Sequence, residues 1–140
     1  MTTALDTNIL VALWDQNDFV SIPARRALDA ALGRGGLVVC GPVFSELLAD
    51  PRRTEYFIET LFKETGIKVD WTLDEVIWRE AGAAFKTYAK RRRRQKTGVP
   101  RRILTDFLIG AHALVRQYPL LTFDAGHFRA AFPELKVIRE

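Results

Sequence analysis

Residues Ile103 to Asp124 read ILTDFLIGAHALVRQYPLLTFD. Ile103, Leu104, Phe107, Leu108, Ala111 and Leu114–Val115 recur at three- and four-residue steps, which predicts an amphipathic helix. Tyr118-Pro119 stops it, and Leu120, Leu121 and Phe123 form a short apolar run of strand type. About ten residues of helix rise ~15 Å and about five of strand return ~16 Å, so the lengths close. Asp106, in the helix's first turn, and Asp124, just past the strand, should therefore share one edge of the molecule. Two carboxylates brought together by a returning chain are unfavourable unless something positive sits between them.

Outward from this stretch, strands and helices alternate. Ala4-Leu5 leads into Asp6, and Ile9, Leu10, Leu13 and Trp14 give a helical face that Thr7 or Asn8 could cap. Ser21-Ile22-Pro23 reads as a cap followed by a first-turn proline, opening a helix to about Leu32 that Gly33, Gly35 and Gly36 end. Leu37–Cys40 is a second strand, and the helix after Gly41-Pro42 carries Glu46 in about its first turn. Thr54–Glu64 should be helical and Ile67–Trp71 a strand. Thr72 and Glu75 have capping-box spacing before a helix running into an arginine block. Lys96–Pro100 reads as a loop, Ala125–Phe132 as a short helix and Leu135–Ile138 as a last strand. This order predicts an α/β domain with a mainly parallel sheet of four to five strands and helices on both faces, one domain over residues 1–140. In such sheets ligands meet the carboxyl ends of the strands. Asp6, Glu46, Asp106 and Asp124 should all lie there.

Composition narrows the chemistry. With 48% apolar and 27% charged residues and no long apolar run, a cytoplasmic globular protein is expected. The lone Cys40 can form no internal disulfide and no thiolate metal site by itself, and its place after Leu37-Val38-Val39 suits a small buried hydrophobe. Net charge is +4, yet residues 90–102 hold eight cationic groups and no acid, leaving 13 basic against 17 acidic residues elsewhere. Such a block, including Arg91, Arg92, Arg93, Arg94, Lys96, Arg101 and Arg102, attracts polyanions such as RNA; a solvated helix end is the equal alternative.

Each acid alone also fits a cap, a first-turn or a turn role. Together, four carboxylates within ~5–8 Å would repel by a few kcal/mol even at an effective dielectric near 20. A hard divalent cation, Mg²⁺ or Mn²⁺, removes that cost. His112 and His127 lack partners at metal spacing and read as packing or surface residues. Acids around such a cation beside a basic block fit phosphodiester hydrolysis.

The segments LDTNILVALW around Asp6, VFSELL around Glu46, LTDFLIGAHAL around Asp106 and LLTFDAGHF around Asp124 resemble, in order and spacing, the PIN-domain ribonucleases, and among them the VapC toxins of toxin–antitoxin pairs. The resemblance spans essentially the whole chain. It implies a three-layer PIN-like fold and Mg²⁺ or Mn²⁺ bound by Asp6, Glu46, Asp106 and Asp124. Asn8 matches the position that orients the first aspartate, and Thr122 the hydroxyl that helps hold metal-bound water. It further implies a homodimer, a VapB-like antitoxin covering the active-site groove, and structured RNA substrates such as tRNA and rRNA. Gly110, where alanine is usual, and Phe123, where a basic residue is frequent, depart from the pattern. Two other classes stay open: a phosphatase or phosphotransferase with Asp6 as nucleophile, and a non-catalytic RNA- or protein-binding module.

Overall fold

The computed structural model describes residues 1–94 and 102–138. Among these, β1 (Thr3–Leu5), β2 (Leu37–Cys40), β3 (Ile67–Asp70), β4 (Leu120–Leu121) and β5 (Val137–Ile138) form one sheet in the order β3-β2-β1-β4-β5, with every neighbouring pair parallel. Helices α1 (Thr7–Leu13), α2 (Asp18–Arg34), α3 (Gly41–Leu47), α4 (Glu55–Thr65), α5 (Glu75–Arg94), α6 (Leu104–Arg116) and α7 (Ala125–Ala131) flank it, giving a three-layer α/β architecture.

β1, β2 and β4 are buried throughout because the sheet's middle strands are covered on both faces, hence their unbroken apolar runs. Strand order reverses beside β1, with β2 on one side and β4 on the other, so a crevice opens where the chain leaves β1 and β4. α5 packs on α6 through aromatic rings, Phe85 stacking on Phe107 at 4.8 Å and Tyr88 tilting against it at 5.4 Å. The other side of α6 is tied to the sheet by His112, fully buried, whose Nε2 lies 2.9 Å from Asp70 Oδ2 at the end of β3. Arg116, one turn on, reaches Asp70 and Asp74. Cys40 is buried, as expected of a small hydrophobe.

Several boundaries differ from the sequence reading. α2 begins at Asp18, where Asn17 Oδ1 accepts from the Phe19 amide, so Ser21 is no cap and Pro23 lies inside the helix. The carbonyl that a residue-23 amide would have met is that of Phe19, a residue 92% exposed and so open to solvent. α5 is capped by Asp74, which accepts from the Ile77 amide, while Thr72 gives its amide to Asp70. Neither Thr7 nor Asn8 caps α1; Asp6 holds the N-cap position. β4 and β5 are two-residue strands, shorter than their apolar runs. The Lys96–Pro100 loop, with Lys96 and Arg101, lies outside the described residues.

Candidate functional site

Asp6 is the first residue after β1 and is 5% exposed. Its backbone is extended and its carboxylate makes no capping bond to α1, Oδ2 instead accepting from Thr122 Oγ1 at 2.7 Å, with the Thr7 amide also favouring its charged form. Thr122 follows β4, across the strand-order reversal. Its hydroxyl also accepts from the Asp124 amide at 2.9 Å and from Asn8 Nδ2 at 3.4 Å, which engages its one donor and both lone pairs. Asn8 Oδ1 in turn accepts from the Phe123 amide at 3.4 Å. The proton of Thr122 is thereby aimed at Asp6.

Glu46 occupies the sixth of the seven residues of α3, one turn later than the sequence suggests. An acid near a helix C-terminus opposes the dipole, so dipole compensation does not account for it. Its Oε1 accepts from Thr7 Oγ1 at 2.6 Å, a bond that ties α3 to the start of α1. Asp106 is the third residue of α6, and its carboxylate reaches back toward the Ile103 amide at 3.4 Å; Ile103 has no side-chain acceptor to complete a capping box.

These three acids feel one another. Burial pushes the Asp6 carboxyl up to about 6 against the Thr122 hydrogen bond, and the charges of Asp106 and Glu46 push the same way. Glu46 is also raised, by burial first, against its bond from Thr7, with Asp106 adding to the rise. Asp124 stands beside them through Thr122 and precedes α7 without capping it. Its carboxylate is ion-paired with Arg102, whose amide donates to the Tyr88 hydroxyl at 2.8 Å. Arg102 thus brings the basic block to an acid of this rim. Arg91, Arg92, Arg93 and Arg94 close α5, and the first three line clefts on either side of Tyr88, Arg91 one shared with His127 and Arg92 and Arg93 one shared with Arg102.

Sequence reasoning missed two neighbours of the rim. Thr7, read as a cap, orients Glu46; a hydroxyl directly after an acid at a strand end was the available signal. His127, read as packing or surface, stands edge-on to Phe107 at 5.3 Å, and its buried Nε2 has no partner among the described residues. Burial and then Arg102 lower its pKa, against the fields of Asp106 and Asp124.

Chemically the donors are all hard oxygens, with carboxylates in excess around a buried aspartate, which suits a hard divalent cation. Among the described residues, no three such side chains are already close enough together to hold a metal ion.

The sequence pattern of the PIN domain matches residues 3–133. The chain belongs to the PIN-domain family. This PIN domain is similar in fold to VapBC-1 from nontypeable Haemophilus influenzae, with 21% identity over 99% of this chain and 98% of that one and a TM-score of 0.70. It is similar also to a toxin–antitoxin complex from Klebsiella pneumoniae, with 18% identity over 97% and 95% and a TM-score of 0.67. VapBC2 from Rickettsia felis, bound to a DNA fragment from its promoter, matches with 17% identity over 99% and 98% and a TM-score of 0.66. No curated protein matches the chain. Among the described residues, no helix of this PIN domain is long and apolar enough to cross a membrane.

Proposed function

We propose that this PIN domain is a Mg²⁺- or Mn²⁺-dependent endoribonuclease, the toxin of a toxin–antitoxin pair, acting in the cytoplasm on structured RNA such as tRNA or rRNA. The observation that carries the reading is the burial of Asp6 beside the charges of Glu46 and Asp106, with the Thr122 hydroxyl donating to it. The carboxylates so arranged repel one another, and a phosphodiester substrate brings still more negative charge to them. Asp6, Glu46 and Asp106 would hold the cation, joined by Asp124. When bound, the cation supplies an activated water and charge neutralisation at the phosphate. Thr122, Asn8 and Thr7 set the directions of Asp6 and Glu46 before any ligand arrives. Arg102, once it leaves Asp124, is placed to meet a phosphate oxygen.

The antitoxin follows from kinship of fold: the similar structures from Haemophilus influenzae, Rickettsia felis and Klebsiella pneumoniae are VapBC or toxin–antitoxin complexes. Exposed Phe19, Val20 and Ile22 on α2, and Trp71, Val76 and Trp78 around the start of α5, offer apolar surface for an antitoxin and for a second copy of the chain. The aspartyl-nucleophile reading has less support, since Asn8, two residues on, is committed to Thr122 and the Phe123 amide. The test is Asp6→Asn. Mg²⁺-dependent cleavage of RNA should fall by roughly 100-fold or more while the circular dichroism spectrum is kept. Equal cleavage by both proteins discards the proposal.

A further inference from the structure

A cavity of about 320 Å³ opens between α5, α6 and α7, its walls including Ala84, Tyr88, Arg91, His127, Ala131 and Pro133. That volume is at the small end of pockets that hold small molecules. Its walls select the guest. Alanine, proline and the Tyr88 ring, with the Phe107 ring packed behind, suit a flat apolar body. His127 Nε2 is shielded from water with no hydrogen-bond partner among the described residues, a cost that a turn of the ring toward an occupant with a polar edge would remove. Arg91, exposed at the wall, suits a guest joined to an anion.

The cavity adjoins the acids. Phe107 directly follows Asp106, and Tyr88 is bonded to the amide of Arg102, whose guanidinium meets Asp124. We propose that this cavity is a nucleobase subsite, taking one unstacked base of a single-stranded stretch of RNA beside the phosphodiester held at the acids. The base lies against Tyr88, offers its hydrogen-bonding edge to His127, and its own phosphate faces Arg91. The assignment of the bound phosphodiester rests on the nuclease reading; the capture of a base does not.

The test uses the full chain in EDTA, so that binding is read without cleavage. Nucleoside 5′-monophosphates are titrated against ribose 5-phosphate by calorimetry, with the His127 ring resonances followed alongside in the wild type. At least one monophosphate should bind about tenfold tighter than ribose 5-phosphate and shift those resonances, an amount base–aromatic stacking supplies. His127→Ala should erase that preference. So should Ala130→Trp, placed on the cavity's exposed lining where the fold tolerates it, and neither should change ribose 5-phosphate affinity. Equal binding of all ligands, or a preference that survives both substitutions, overturns the subsite. The two proposals fail separately. Metal-dependent cleavage lost in Asp6→Asn, with the bases flanking the cut unchanged in His127→Ala and Ala130→Trp, sinks the subsite alone. A base preference in binding without any cleavage upholds the subsite and sinks the nuclease.

Discussion

Asp6 is kept where its charge opposes folding. Its carboxyl titrates at about 6 rather than the ordinary 3.8, so the folded chain holds the proton to higher pH than the unfolded chain does. The stability this group gives is therefore greatest below about pH 4 and is lost as pH rises through about 6. The difference corresponds to roughly 3 kcal/mol when fully developed. Asp6→Asn keeps an acceptor for Thr122 and removes the charge. Thermal melts should show the variant more stable by about 1–3 kcal/mol at pH 7.5, with Tm up by roughly 5 °C or more, and nearly equal to wild type at about pH 3. A variant that melts lower than wild type at pH 7.5 would contradict burial as the cause. That an acid stands at this point is plain from the sequence. That Thr122, 116 positions away, aims its hydroxyl at it depends on β4 lying beside β1.

At the scale of elements, α6 shows how far periodicity carries. The apolar spacing from Ile103 to Val115 marks the helix and its core face, and the structure has α6 from Leu104 to Arg116. What periodicity omits is what α6 packs against. His112 lies on the buried face because Asp70 of β3 accepts from it, a partner 42 residues away. Gly110, unusual for the family pattern, is explained by the residue that follows α7: a Cβ there would fall within the ring of Phe132, which is 3% exposed. Gly110→Ala gains about 1 kcal/mol of helix propensity but overpacks the ring by more, typically about 1–3 kcal/mol. Urea denaturation should show a net loss of about 1 kcal/mol, recovered in Gly110→Ala/Phe132→Leu. A stabilised single variant would mean the ring moves aside freely. Capping signals were less legible than periodicity. Thr72 and Ser21 satisfy the cap pattern, yet Asp74 and Asn17 do the capping, because several polar residues precede each helix and packing of the buried face sets the register.

For the whole molecule, charge is segregated: eight cations in residues 90–102 on a chain whose remainder is acidic. If the end of α5 carries RNA, reversing the charge of Arg91 to Arg94 should weaken binding and flatten its salt dependence by about 0.7 for each phosphate no longer neutralised. Filter binding across a salt series measures this, and an unchanged slope would reduce the block to a solvated helix end.

The sequence alone determined the alternation of strands and helices, the parallel sheet, and the acids at the ends of separate elements. Those follow from periodicity and from the reach of short segments, both of which are local. Only the tertiary structure decided that Glu46 stands late in α3 and is held by Thr7, that Arg102 pairs with Asp124, and that His127 has a buried nitrogen with no partner among the described residues, beside a cavity. Each depends on which elements crossovers place side by side, and no periodicity in one segment encodes the neighbour that packing will bring to it.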